Sequence, residues 1–110
     1  MQFNNFLYLH SMQILQDLNV DLHTHSTASD GSLSPSQLVV RAIENGVDIL
    51  ALTDHDTVSG IAEGLETAKG TGLTFIPGVE ISTMWGESCI HIVGLDIQFN
   101  DTNLKEALLQ

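Results

Sequence analysis

The chain has 110 residues, 43% apolar and 15% charged, which suits one small domain with a packed core and disfavours disorder. Fourteen acidic residues stand against three basic ones (Arg41, Lys69 and Lys105), a net charge of −11 that argues against a nucleic-acid module gripping phosphates with its own cations. A lone Cys89 excludes an internal disulfide and a CxxC zinc site; with no long apolar run and no basic residue before Arg41, no membrane segment or signal peptide is expected, but a reduced, soluble, cytoplasmic protein.

Residues 1–18 are apolar and rich in Gln and Asn, and read as a leader, either a short amphipathic helix packed on the domain or a frayed segment. The domain proper spans 19–110. Val20 to His25 predicts a strand, and Ser26 to Ser32 a polar loop. Ser34-Pro35 can start a helix, since Ser caps and Pro suits the first turn. Leu38, Val39, Ala42 and Ile43 then fall on one face, and Asn45-Gly46 ends the helix. Asp48 to Thr53 reads as a continuous apolar strand buried on both faces. Ser59 to Lys69 predicts a second helix with Ile61, Leu65 and Ala68 inward. Leu73 to Ser82 predicts a third strand, interrupted by Pro77-Gly78. Thr83 to Gly86 is too short for a parallel crossover, so the next strand should return as a hairpin. Asp101 can cap a last helix over Asn103 to Gln110. The β–α–β–α–β order implies an α/β fold with parallel strands.

Chemistry-bearing residues gather at the strand ends. His23 and His25 are two apart, so on a strand they share a face. They suit a shared metal ion, or a pair of half-buried histidines bonded to neighbours. His55 sits between Asp54 and Asp56 directly after the second strand, where open α/β folds place their sites. Helix capping by Asp56 or Thr57 would explain one of these residues. Glu80 lies in an otherwise apolar strand; it is either buried with cations or donors, or on an exposed face. A two-residue turn at Trp85-Gly86 would set Glu80 directly opposite His91. Asp30 precedes Gly31 and suits a turn when taken alone. Together the six candidates are His23, His25, Asp30, His55, Glu80 and His91. Mixed nitrogen and oxygen donors suit Zn²⁺, Mn²⁺ or Fe²⁺, and six exceed the needs of one ion, which points to a multinuclear cluster.

Asp21-Leu22-His23-Thr24-His25-Ser26, Thr53-Asp54-His55-Asp56, Pro77-Gly78-Val79-Glu80-Ile81-Ser82 and Ile90-His91-Ile92-Val93-Gly94 resemble four ordered motifs of the PHP family, the polymerase and histidinol phosphatase phosphoesterases. The likeness runs over residues 20–97 and is nearest to the stand-alone bacterial TrpH/YciV-like enzymes. It implies a distorted (β/α)₇ barrel, of which this chain would be the N-terminal half, and a site of up to three divalent ions. By that resemblance His23, His25 and Glu80 hold the first metal, Glu80 and His91 the second, and Asp30 and His55 the third. A metal-bound hydroxide would attack phosphorus. The family's C-terminal ligands, a His and an Asp-x-His pair, do not occur in this sequence, so the chain would be a fragment, inactive alone, with open sheet edges awaiting a missing half or a second copy.

The implied activity is hydrolysis of phosphate monoesters or nucleotide ends, as a 3′,5′-nucleoside bisphosphate phosphatase or 5′–3′ exonuclease. Its partners would be a phosphorylated small molecule, nucleotide or oligonucleotide end, and no membrane. The alternatives are a non-catalytic PHP-type metal-binding or assembly module, and a metal-dependent amidohydrolase, whose barrels also carry an HxH after the first strand.

Overall fold

A computed structural model describes residues 17–109. The expected leader therefore lies outside the described residues, save Asp17 and Leu18. The elements are β1 (Val20–Thr24), α1 (Pro35–Glu44), β2 (Ile49–Leu52), α2 (Ile61–Ala68), β3 (Thr74–Trp85), β4 (Ser88–Leu95) and α3 (Thr102–Leu108). The strands form one sheet in the order β1-β2-β3-β4. The first three are parallel, and β4 returns antiparallel to β3. The sheet curls without closing among the described residues, so β1 and β4 are its edges.

Local chemistry sets the helix bounds. The Ser34 hydroxyl accepts from the Gln37 N–H at 3.1 Å, and the Gln37 side chain accepts from the Ser34 N–H at 3.0 Å. This reciprocal pair, with Pro35 behind it, starts α1 where the sequence predicts. Asn45 ends it, and Gly46 turns away at φ +76°. Val39 and Ala42 are buried, but Ile43 is exposed, against expectation. It lies at the margin of the apolar stripe, about 100° round the helix from Ala42. The second helix starts later than predicted, at Ile61, because Thr57 and Ser59 bond each other in a turn of their own. The last helix begins at Thr102, its Leu104 N–H donating to the Asp101 carboxylate at 3.0 Å.

The core joins Val39 and Ala42 of α1, Leu50 of β2 and Ala68 of α2, with Phe75 of β3 packed against it. Each fully buried Leu or Val contributes roughly 1.5–3 kcal/mol. At Gly64 a methyl would lie 2.5 Å from the Phe75 ring, so only glycine lets α2 approach the sheet this closely.

Two expectations for the third strand need correction. Pro77-Gly78 does not interrupt β3; the strand runs through and changes partner there. Thr74 to Pro77 pair with β2, and Gly78 to Trp85 pair with β4. The offset of β3 against β2 is kept beyond Pro77 by a single parallel bridge, His55 with Glu80. The hairpin register also differs. The turn is Gly86-Glu87, between paired Trp85 and Ser88, because the positive φ of +63° at the first central position falls to Gly86. Glu80 therefore faces Val93, and His91 faces Ser82. The displacement is an even number of residues, so His91 keeps its face and becomes a diagonal neighbour of Glu80.

Candidate metal centre

The ends of β1 and β2, the middle of β3 and the returning strand β4 deliver the site. Glu80 is fixed by its backbone: its N–H donates to the Asp54 carbonyl at 3.0 Å, and its carbonyl accepts from the Asp56 N–H at 2.9 Å. This single parallel bridge sets Glu80 beside His55. Its carboxylate is 4% exposed as a residue and meets four imidazoles. His23 Nε2 pairs with Oε1, and His25 Nε2 lies 3.6 Å from the same oxygen. His55 Nδ1 and His91 Nδ1 lie 3.0 and 3.2 Å from Oε2. The exposed-face reading of Glu80 does not hold.

Asp30 completes the cluster from the loop after β1. Its Oδ2 lies 3.2 Å from His55 Nε2, and its Oδ1 3.8 Å from His25 Nδ1. The His25 and His55 rings stack at 4.4 Å with 5° between their planes. His23 and His25 meet edge-on at 5.1 Å. Both meet Glu80 Oε1, as the shared face predicts, although the register of β1 against β2 shifts between Asp21 and Thr24. All six residues singled out in the sequence thus converge.

They fall into three groups whose donor atoms lie within 4.8 Å of one another: His23, His25 and Glu80; His25, Asp30 and His55; His55, Glu80 and His91. The donor set suits divalent transition metals. The His25 Nδ1 atom is buried without a hydrogen-bond partner and faces the second group, which fits an ion there. The ionic contacts of the cluster among the described residues are all between histidine and carboxylate, none with Lys or Arg. Arg41 lies in the last turn of α1 and Lys69 at the C-cap of α2. Both ends are opposite the strand termini that carry the site.

The Asp54-His55-Asp56 run divides by role. Only His55 faces the cluster. Asp54 is buried, and its Oδ1 accepts from the Ser26 N–H at 2.6 Å and the Ser29 hydroxyl at 2.8 Å, its Oδ2 from the Ser26 hydroxyl at 2.7 Å. Asp56, at φ +53°, accepts from the Ser82 N–H at 2.9 Å. Neither Asp56 nor Thr57 caps α2, whose N-cap is Gly60. Sequence reasoning missed Ser82, whose hydroxyl lies 3.2 Å from His91 Nδ1. The corrected register, which pairs Ser82 with His91, is the signal that would have found it.

A histidine–carboxylate cluster at the C-terminal ends of parallel strands is the site type of metal-using α/β barrels. A PHP domain matches residues 21–106, and the chain belongs to the PHP domain family. It is similar to a 5′-3′ exoribonuclease of Haemophilus influenzae, 58% identical over 91 residues, covering 82% of this chain and 32% of the relative. A 3′,5′-nucleoside bisphosphate phosphatase of Chromobacterium violaceum is 48% identical over 79 residues, covering 72% of this chain and 28% of the relative. An amidohydrolase structure from the same species, with bound sulfate and no metal, superposes with a TM-score of 0.79 at 44% identity, over 83% of this chain and 32% of that one. The chain thus spans about a third of the length of the relatives it matches.

Proposed function

We propose that this chain carries part of the catalytic site of a metal-dependent phosphoesterase acting on phosphate monoesters or nucleotide ends. The observation that carries the reading is the buried Glu80 carboxylate ringed by four imidazoles, with Asp30 closing the far side. Burying a carboxylate is costly unless cations or hydrogen-bond donors share the space. His23, His25 and Glu80 would hold one ion, Glu80 and His91 a second, and Asp30 and His55 a third, drawn from Mn²⁺, Zn²⁺ or Fe²⁺. Such ions supply the positive charge that a phosphate needs and make water a nucleophile at neutral pH. That explains how a chain of net charge −11 would act on an anion.

The chain's own residues have separate tasks. Glu80 offers both oxygens and so joins two positions. Its two backbone bonds to the Asp54–Asp56 segment hold it rigidly. The Ser82 hydroxyl stands within hydrogen-bond distance of the same His91 Nδ1 that faces Glu80. The relatives' names narrow the proposed substrate to a nucleoside 3′,5′-bisphosphate or an RNA 5′ end. Sulfate, as in the similar structure, is a tetrahedral oxyanion of phosphate's shape. That structure is also called an amidohydrolase, which keeps amide hydrolysis as the second reading.

The test is phosphate release from a nucleoside 3′,5′-bisphosphate, beside an amide substrate, by the whole protein that carries this chain. Release that needs Mn²⁺, stops with EDTA and is lost in Glu80→Gln is expected. Release of phosphate that survives both treatments, or amide cleavage alone, overturns the proposal.

A further inference from the structure

Asp54 stands next to a cluster residue in sequence, is 2% exposed, and yet belongs to none of the three donor groups. A buried carboxylate needs donors, and its three donors among the described residues come from one loop. They are the Ser26 N–H, the Ser26 hydroxyl and the Ser29 hydroxyl. Such charge-assisted bonds are about twice as strong as neutral ones. The same loop carries Asp30. Within it, the Ser26 carbonyl accepts from the Ser29 N–H at 3.1 Å and the Gly31 N–H at 2.8 Å, and the Ser26 hydroxyl accepts from the Ala28 N–H at 3.1 Å. Ser26 is therefore the hub of the loop, and Asp54 holds the hub. The Asp54 carbonyl meanwhile accepts from Glu80. One residue thus ties the β1–α1 loop, the end of β2 and the middle of β3 together.

We propose that Asp54 is a positioning residue: by fastening Ser26 and Ser29 it sets the Asp30 carboxylate against His25 and His55. The role in ion binding rests on the reading of these residues as ligands; the positioning itself does not. Asp54 touches no donor group through its side chain, so its effect is indirect. It should be selective, acting on the Asp30 side of the cluster and sparing His91, which the hairpin holds.

The test compares the parent chain with Asp54→Ala, Asp54→Asn and Ser29→Ala. In the metal-free proteins, the NMR ring signals of His25 and His55 should move in Asp54→Ala while those of His91 stay. Asn keeps the acceptor for the Ser26 N–H and the Ser29 hydroxyl, so Asp54→Asn should restore most of the parent spectrum. Ser29→Ala, which removes one clasp, should give a smaller shift of the same signals. Titration with Mn²⁺ alone should show affinity lowered roughly 10–100-fold in Asp54→Ala, the usual cost of losing an outer partner. A folded Asp54→Ala with unmoved His25 and His55 signals overturns the proposal. So does an unfolded Asp54→Ala accompanied by folded Ser29→Ala and Asp54→Asn that match the parent. A parent that binds no Mn²⁺ defeats the metal reading instead, and the metal-free ring signals still decide the positioning.

Discussion

At the scale of single residues, Glu80 and His23 separate a ligand role from a packing role. The His23 side chain is 55% exposed, so its removal leaves no cavity. His23→Ala should keep the metal-free melting temperature within a few degrees and weaken Mn²⁺ binding. A histidine that served the core would behave oppositely, with a loss of about 1–3 kcal/mol and unchanged binding. Glu80→Gln should weaken binding more than His23→Ala, since Glu80 joins two donor groups and His23 one. Isothermal titration with Mn²⁺, beside thermal melts in EDTA, checks both. The convergence of the six candidates was legible because histidines and carboxylates in apolar strands have few inexpensive places to go. The division between Asp54 and His55 was not. It depends on which way each side chain leaves an extended segment beyond the end of β2, where no amphipathic pattern records direction.

Elements act on the site through a few close approaches. At Gly31 a methyl would lie 2.3 Å from the His25 carbonyl oxygen, a backbone atom with no freedom to yield. Gly31→Ala should therefore cost about 1–3 kcal/mol, as overpacking does, and displace the neighbouring Asp30. Urea melts and Mn²⁺ titration should both register it. Ser34→Ala makes the contrasting case. It removes the cap of α1 at a residue outside the three donor groups, and should cost about 1 kcal/mol with ion binding intact. Helix starts and stops were readable from Ser34-Pro35 and Gly46 because capping is local chemistry. The hairpin register was not read correctly, because two placements of the turn compete. Glycine's access to positive φ decides between them, and puts Gly86 first.

For the molecule as a whole, the parallel order and the convergence at one sheet end followed from the alternation of strands and helices. The exposure that results followed as well, since half a barrel leaves open sheet edges, and Val20, Leu22, Ile90 and Ile92 lie on them. All four are exposed on the edge strands β1 and β4, and Trp85 at the hairpin tip is 78% exposed. Unpaired edges with apolar side chains invite pairing with another chain. The 110-residue chain should self-associate with rising concentration, and Leu22→Lys with Ile92→Lys should suppress it. Sedimentation velocity across a concentration series checks this; a monomer throughout would show the edges to be protected.

The change of partner along β3 also imposes an order in time. Its second half needs only a two-residue turn to find β4, while its first half must find β2 across the whole of α2. Hairpins close in about 1–10 μs, and pairings distant in sequence form later because loop closure is entropically costly. The carboxylate of Glu80 and the ring of His91 should accordingly meet while the histidines of β1 are still free. Substitutions at Gly86 should slow folding, and substitutions in β1 should chiefly hasten unfolding.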